Sequence, residues 1–387
     1  MDRRALQHRA SDCFARTGCA GGRALELSTT RLLSIVLCCW IGIAWSGPAG
    51  DDAQYQWRLP PGFPPPVVPA DNPMSDAKVA LGCRLFFETR LSITNTYSCA
   101  SCHHPELAFT DGRALAVGAK GDSMHRGAMT LTNVAYNPAF TWASGSVVTL
   151  ERQMEQPLFN EHPLEMGLQR DDRALLEWLG QQQNYSTAFR QSFPQETEPI
   201  TIPNVLKAIA SFERTLISGR SAFDRYVYDD DRAAFSEGAR RGMRLFYSDR
   251  TGCAHCHFGL NFSGPMVQRG KSQQRALFAN NGSAVKGDEG LSVETKKPQD
   301  RGRFRVPTLR NIALTAPYMH DGRFATLEAV VEHYVAGGRH ADSVGVVDSQ
   351  IRPLDLSAEE KRDLVEFLKS LTDQQFVSPR TCDRSSI

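Results

Sequence analysis

The chain has 387 residues, which is enough for two domains with separate cores. Hydrophobic residues make up 41% of it and charged residues 22%, as in ordinary globular proteins. The formal net charge of +1 gives no basis for a nucleic-acid partner or for binding to an anionic membrane surface.

The only long apolar run lies near the N-terminus, at residues 32–45. It is short for a membrane span and is interrupted by glycine and serine. Arg31 precedes the run, and Ala44-Trp45-Ser46 resembles the small-x-small site of a signal peptidase. We therefore interpret residues 1–46 as a secretory signal peptide, which predicts a periplasmic protein without stable membrane insertion. The alternative is an uncleaved N-terminal anchor.

Residues 47–74 are rich in proline, which predicts an extended segment lying on a surface. The first helix is expected to begin near Ser75, a good N-cap residue. No alternating pattern is long enough to build a sheet, so the fold class is mainly α. Apolar periodicity predicts further helices over residues 171–180, 202–219, 326–336 and 357–371.

Two pentapeptides carry the strongest chemical signal: Cys99-Ala-Ser-Cys102-His103 and Cys253-Ala-His-Cys256-His257. In a C-x-x-C-H motif the two thiols add to the vinyl groups of a haem, and the histidine becomes an axial ligand of the iron. Two copies in an exported chain predict two covalently attached c-type haems.

The surroundings of the two motifs are also duplicated. A serine-capped helix precedes each motif, beginning at Ser75 and at Ser236, and an aromatic–hydroxyl pair follows, Phe109-Thr110 and Phe262-Ser263. The repeat predicts two cytochrome c-like helical domains, one for each haem. Their expected bounds are 75–230 and 231–376, with a tail at 377–387.

Cysteine usage fits export. Four cysteines fall in the signal region and four in the haem motifs, which leaves Cys83 and Cys382. An oxidising compartment would allow these two to form a disulfide. Their separation in sequence does not fix their distance, so two unpaired thiols are an equal alternative.

The segment from Phe304 to Gly322 reads FRVPTLRNIALTAPYMHDG. Together with the two haem motifs it resembles the bacterial di-haem cytochrome c peroxidase/MauG superfamily, over about residues 57–375. Within that family, the sequence EHPLEMG at residues 161–167 looks most like the MauG/MbnH-type enzymes. The resemblance implies that the N-terminal haem reacts with hydrogen peroxide and that the C-terminal haem transfers electrons.

The sixth ligand of the second haem iron separates members of this family. Di-haem peroxidases have a methionine fourteen residues after the histidine that is His320 here, and this chain has Tyr334. The resemblance therefore implies Tyr334 and His257 as the two ligands of that iron, with His103 as the ligand of the first. A phenolate favours oxidised iron, whereas methionine favours Fe(II). The alternatives are a core tyrosine beside Leu327, Val330 and Val331, with Met319, Met266 or His333 as the ligand.

The first haem is expected to have an open side. Simple di-haem peroxidases place a second histidine sixteen residues after the haem histidine, where this chain has Ala119. His125 is close enough in sequence to be a candidate, although a histidine on a surface loop is the simpler interpretation. The resemblance implies that Gln153, Pro157 and Glu165 stand above the open iron, with Glu161 competing for the role of Glu165.

Three further assignments come from the resemblance. Trp142 matches a tryptophan that lies between the two haems. Thr315 and Pro317 match backbone ligands of a calcium ion, although Gly127 stands where that site has an asparagine. Thr251 stands where MauG has a surface tryptophan, which implies a different exit route for electrons or a different partner.

These features predict an oxidoreductase that uses hydrogen peroxide to form a high-valent di-haem state. That state would oxidise a side chain, expected to be tryptophan, on a separate periplasmic protein. The alternative is a peroxidase that removes peroxide with electrons from a small cytochrome c or cupredoxin. An electron-transfer cytochrome without catalysis is a third hypothesis, which the open position at Ala119 disfavours.

Overall fold

A computed structural model describes residues 55–271, 274–338, 340, 343–378 and 382. The predicted signal peptide lies outside these residues, as do the four cysteines that precede residue 55. Within the described residues, no helix is long and apolar enough to cross a membrane.

The described part is mainly helical, as the sequence predicts, and its strands Phe278–Ala279 (β1) and Phe304–Arg305 (β2) form one antiparallel pair. Short 3-10 turns at Cys99–Ser101 and Cys253–His255 open the two haem motifs. The α-helices in chain order are α1 (Asp76–Phe86), α2 (Leu150–Phe159), α3 (Arg173–Gln181), α4 (Gln183–Ser192), α5 (Ile202–Glu213), α6 (Ala222–Tyr228), α7 (Glu237–Phe246), α8 (Ser292–Thr295), α9 (Leu327–Val335) and α10 (Ala358–Lys369).

The helices pack around two large hydrophobic cores. Helices α1 to α5 supply the first core, and α6, α7, α9 and α10 supply the second. The bounds predicted for the domains differ slightly from this packing. Helix α6 precedes the expected boundary at 230, yet its Phe223 and Val227 lie in the second core. Phe376 and Val377, at the other end, pack back on the first.

The same helix crossing holds each core together. Helix α1 crosses α5 at Gly82, where an added Cβ would lie 1.9 Å from the carbonyl oxygen of Ala208. Helix α7 crosses α10 at Gly242, where the same atom would lie 1.9 Å from the carbonyl oxygen of Asp363. Only a residue without a side chain allows the backbones to approach so closely. The two glycines occupy matching positions in the repeat.

A buried polar network joins the two halves. Arg310 is almost completely buried, and its guanidinium bonds both carboxylate oxygens of Asp224 at 3.0 and 2.9 Å. The Asn311 side chain donates to Ser218 Oγ at 3.0 Å and accepts from the backbone N–H of Asp373 at 2.8 Å. Because a buried charge is costly without its partner, the Arg310 pair fixes α6 within the second half, and the Asn311 bond to Ser218 joins that half to residues 216–220.

Part of the proline-rich segment, at Phe63 and Pro64, packs on this junction. Phe63 is buried beside Tyr136, and its ring lies 5.0 Å from the Arg310 guanidinium. The Tyr136 hydroxyl donates to the carbonyl oxygen of Pro64 at 2.8 Å.

The two leftover cysteines form a disulfide, with a Cα–Cα distance of 5.5 Å between Cys83 and Cys382. Cys83 is a buried residue of α1, and the bond attaches the end of the chain to the first core. Phe376 packs on Phe109 nearby, with 5.5 Å between ring centroids. The pairing that the sequence left open is thus resolved.

Five helices differ from the sequence prediction. Helix α5 ends at Glu213 rather than near 219, because the chain beyond it is drawn to other partners: Ser218 N–H donates to Asn133 Oδ1 at 2.7 Å. Helices α2, α4, α6 and α8 are absent from the prediction. In α2 the cause is Pro157, which lies inside the last turns of the helix. Proline in a helical pattern normally marks its end.

We predict that Gly82→Ala destabilises the protein by about 1–3 kcal/mol, because the new methyl group would overlap the α5 backbone. Denaturant unfolding measures the change. The matched control is Gly180→Ala in α3, where the nearest atom to an added Cβ is 3.8 Å away. This change should be neutral or stabilising by up to about 1 kcal/mol. Equal losses in both variants would contradict the close crossing.

Candidate active site

The first C-x-x-C-H motif holds its histidine in one orientation. The His103 backbone N–H donates to the Cys99 carbonyl at 3.0 Å. The ring Nδ1 donates to the carbonyl oxygen of Phe109 at 2.8 Å, since a carbonyl can only accept. Phe109 has a φ of 63°, which turns its carbonyl toward the ring. The tautomer this fixes leaves the lone pair of the ring on Nε2, the atom that would bind a metal.

The second motif repeats this geometry. The His257 Nδ1 donates to the carbonyl oxygen of Phe262 at 2.8 Å, and Phe262 has a φ of 50°. The His257 backbone N–H donates to the Cys253 carbonyl at 3.0 Å. Burial lowers the pKa of both His103 and His257, which keeps each imidazole neutral, as a metal ligand must be.

The four motif cysteines are not in disulfides, and each is partly buried beside its histidine. A cavity of about 210 Å³ opens in front of the second motif and is lined by Cys253, Cys256 and His257 together with apolar side chains. Two free thiols and a neutral histidine with its lone pair on Nε2, facing an apolar cavity, fit a covalently attached haem.

Tyr334 lines the same cavity from helix α9. Its hydroxyl oxygen accepts a hydrogen bond from Asn281 Nδ2 at 3.2 Å. Burial raises the pKa of this hydroxyl to about 12, and the bond from Asn281 acts in the opposite direction. Leu327, Val330 and Val331, its neighbours on the predicted apolar face, line the cavity as well. The apolar face and the cavity wall are therefore the same surface.

The three alternative ligands are placed differently. Met319 lines the cavity. Met266 lies in another cluster, with Tyr136 and Leu260, away from the cavity wall. His333 points elsewhere, because its Nε2 bonds the Asn281 carbonyl at 2.8 Å and its Nδ1 lies 2.8 Å from His340.

Pro157 and Glu165 lie close together, with Glu165 near the first motif. Gln153 and Pro157 lie one turn apart on α2. The Met166 backbone N–H donates to the Pro157 carbonyl at 2.9 Å, which places Glu165 beside that turn. Burial raises the pKa of the Glu165 carboxyl, and its charge contributes to raising the pKa of the Cys102 thiol. A carboxyl with a raised pKa next to a haem-attachment cysteine can both accept and return a proton.

The competing residues near this site lie at the surface. Glu161 and His125 are both exposed. Ala119 sits in a turn whose N–H donates to the Glu165 carbonyl at 2.7 Å. The position where simple peroxidases have a second histidine thus carries a methyl group and helps to hold Glu165 in place.

Trp142 lies between the two halves. Its ring lines the 210 Å³ cavity and also a smaller cavity of about 70 Å³. The indole N–H donates to the Gly127 carbonyl at 2.9 Å, and the Gly127 N–H donates to the His320 carbonyl at 2.9 Å. These bonds hold the ring in one orientation against the second haem motif.

The smaller cavity contains the expected calcium residues. Thr315, Pro317 and Gly127 all line it, and Asp111 is the only carboxylate among its lining residues. Arg305 lines it too and is buried, which lowers the pKa of the guanidinium to about 10. In the part of the chain that the structure describes, no three His, Cys, Asp or Glu side chains group as a metal site.

Two features of the site were missed from the sequence. Asn281 lies within hydrogen-bond distance of Tyr334, although it sits in an Asn-Asn-Gly segment that is typical of a turn. Arg126 forms a bidentate pair with Asp288 at 2.8 and 2.7 Å, and the Asp288 carboxylate lies 3.7 Å from His320 Nε2. Both contacts join segments far apart in sequence, so no local signal could have revealed them.

Thr251, at the position where MauG has a surface tryptophan, is buried beside the second motif.

The chain is similar to known proteins over most of its length. A family model described as di-haem cytochrome c peroxidase matches residues 76–232. Methylamine utilization protein MauG of Methylorubrum extorquens is 36% identical over 321 residues, 82% of this chain and 83% of that protein. Cytochrome-c peroxidase IdrP1 of Denitromonas iodatirespirans is 37% identical over 364 residues, 88% of this chain and 92% of that protein. A solved MauG-like protein associated with microbial copper homeostasis has 38% identity and a TM-score of 0.79, covering 84% of this chain and 98% of that one.

The chain belongs to the di-haem cytochrome c peroxidase/MauG family. It is an oxidoreductase of the di-haem peroxidase type, and the family implies two haems. MauG and peroxidase relatives match at similar identity, so the relatives do not decide between the two roles.

We predict that Cys253→Ala combined with Cys256→Ala leaves one covalently bound haem instead of two, because the first motif is built independently. Intact-protein mass and the pyridine haemochrome count the haems. The matched control, Cys83→Ser with Cys382→Ser, removes two cysteines that pair with each other and should keep both haems. Loss of both haems in the first variant would contradict two independent sites.

Proposed function

We propose that this protein is a MauG/MbnH-like enzyme that uses hydrogen peroxide to oxidise a side chain of a separate protein. The observation that carries the proposal is the position of Tyr334, whose hydroxyl group lies in the cavity formed by His257 and its two cysteines. A phenolate there favours the oxidised iron that such chemistry needs, whereas a peroxidase fed by a cytochrome benefits from methionine.

Each histidine holds one iron in this proposal. His103 would be the protein ligand of the first iron, because the bond from its Nδ1 to Phe109 leaves the lone pair of the ring on Nε2. His257 and Tyr334 are the ligands of the second. When bound, the haems supply the iron centres that react with peroxide and store oxidising equivalents.

Glu165 and Gln153 act on peroxide at the open side of the first haem. Glu165 takes a proton from one peroxide oxygen and returns it to the other as the bond between them breaks. Its half-buried position favours this role, because partial burial raises the pKa of the carboxyl above the ordinary value for glutamate. Gln153 orients the peroxide, and Pro157 fixes the turn that carries Gln153 toward Glu165.

Trp142 relays charge between the two haem sites. Its indole is held by the bond to Gly127 and lines the second haem cavity. The oxidising equivalents then leave to a protein docked outside, where we propose a tryptophan as the residue oxidised. The presence of Thr251 in place of a surface tryptophan implies that the exit differs from that of MauG.

We place the enzyme in the periplasm, on the basis of its haem motifs, its disulfide and the apolar run near its N-terminus.

Calcium binding between the two halves stays a prediction. Thr315 and Pro317 line a cavity with Asp111, whose carboxylate could replace the missing asparagine, but the Arg305 cation on the same wall opposes a second positive charge.

The second candidate function is peroxide removal with electrons from a small cytochrome c or cupredoxin. The peroxidase relatives favour it, since one is 37% identical over 88% of this chain. One experiment separates the two functions. One equivalent of hydrogen peroxide is added to the diferric holoenzyme without reductant. A long-lived near-infrared absorption supports the MauG-like function, whereas rapid turnover with reduced cytochrome c and no such absorption supports peroxide removal.

We predict that Tyr334→Met abolishes the long-lived absorption, because methionine favours Fe(II) and cannot stabilise the oxidised pair. Optical spectra after one equivalent of peroxide measure this effect. An unchanged absorption would show that Tyr334 is not a ligand.

We predict that Glu165→Gln slows the reaction with peroxide by about 10²- to 10⁴-fold, the usual contribution of a general base. In the wild type, the rate should rise with pH as Glu165 loses its proton, above the ordinary range for glutamate, since burial raises its pKa. The variant should lose this pH dependence. Stopped-flow spectroscopy from pH 4 to 8 measures both. The control is Glu161→Gln, an exposed neighbour four residues away that should leave the rate unchanged.

A further inference from the structure

Asn281 contacts two side chains of the second haem cavity at once. Its Nδ2 donates to the hydroxyl oxygen of Tyr334 at 3.2 Å and to the Met319 sulfur at 3.1 Å. All three residues line the cavity in front of His257. The phenol and the thioether are thus held side by side by the two N–H bonds of one amide.

The orientation of this amide is fixed by its other end. Asn281 Oδ1 accepts hydrogen bonds from the backbone N–H of Ser283 at 3.1 Å and from Ser283 Oγ at 2.6 Å. A flipped amide would set an N–H group against the Ser283 backbone N–H, which can only donate. The Asn281 carbonyl also accepts from His333 Nε2 at 2.8 Å, which ties its backbone to the helix that carries Tyr334. The two N–H bonds of the Asn281 amide are therefore directed at Tyr334 and Met319.

The two contacts have opposite chemical effects. A phenolate oxygen is anionic, so it accepts a strong hydrogen bond from an N–H group. The oxygen has further lone pairs, and these stay available to bind a metal. A thioether sulfur is a weak acceptor whose lone pairs are its only means of binding iron. A hydrogen bond to that sulfur competes with the metal. One amide therefore favours the oxygen as ligand and disfavours the sulfur.

We propose that Asn281 is a positioning residue that selects Tyr334, rather than Met319, as the sixth ligand of the second haem iron. This inference rests on the proposed function, in which Tyr334 is that ligand. The selection matters most when the iron is reduced, because Fe(II) prefers the softer sulfur. The amide keeps oxygen ligation available at both oxidation levels.

The test uses Asn281→Leu in the holoenzyme. We expect the resonance Raman signals of an iron-bound phenolate to weaken or disappear after a cycle of reduction and reoxidation. The long-wavelength charge-transfer band of a methionine–iron(III) bond should appear, and the reduction potential of the second haem should rise. Adding Met319→Leu to Asn281→Leu should abolish the new band. If the phenolate signals and the potential of the single variant equal those of the wild type, or if the changes do not depend on Met319, the proposal is overturned.

Two further variants control for structural damage. Asn280, the preceding residue, is fully buried, and its side chain donates to the Val344 carbonyl at 2.8 Å. Asn280→Ala should lower stability and leave the spectrum of the second haem unchanged. Ser283→Ala keeps the amide of Asn281 but removes its Oγ clamp. It should shift the potential in the same direction by a smaller amount, which tests the proposal even if Asn281→Leu does not fold.

Wild-type spectra separate this inference from the proposed function. If the wild type shows no phenolate signals, Tyr334 is not a ligand, and both the proposed function and the ligand selection fail. If the wild type shows them and Asn281→Leu retains them in full, the ligand selection alone fails.

Discussion

The hydrogen bond from each haem-motif histidine to a backbone carbonyl is the constraint on which this structure depends. It fixes the tautomer and the ring plane of His103 and of His257, as a histidine that binds a metal requires. Both accepting residues, Phe109 and Phe262, adopt a left-handed backbone conformation to present the carbonyl. The surrounding helices, with their glycine crossings at matching positions, form two copies of one frame built around that bond.

The two copies differ in the side chains around their motifs. In the first half, Glu165, a half-buried carboxyl with a raised pKa, lies near Cys102. In the second half, an apolar cavity places the phenol of Tyr334 in front of His257. The two halves thus hold the motif histidine in the same way and surround it with different side chains. Trp142, fixed by one hydrogen bond, lies where the halves meet.

Local sequence patterns predicted the features that depend on short spacing. The haem motifs, the helix starts at Ser75 and Ser236 and the mainly α fold follow from residues a few positions apart. Features that depend on distant partners could not be predicted. Helix α5 ends early because Asn133 binds the chain beyond it, and Asn281 reaches a tyrosine 53 residues away. The disulfide was left open for the same reason, since its cysteines are 299 residues apart.

That disulfide closes a covalent ring over residues 83–382. Every residue of both haem motifs lies within the ring. A single proteolytic nick in any loop between these points leaves two fragments that sulfur still joins. The spacing of the two motifs is then protected twice, by the buried contacts of Asn311 with Thr132 and Ser218 and by a linkage that survives one cut.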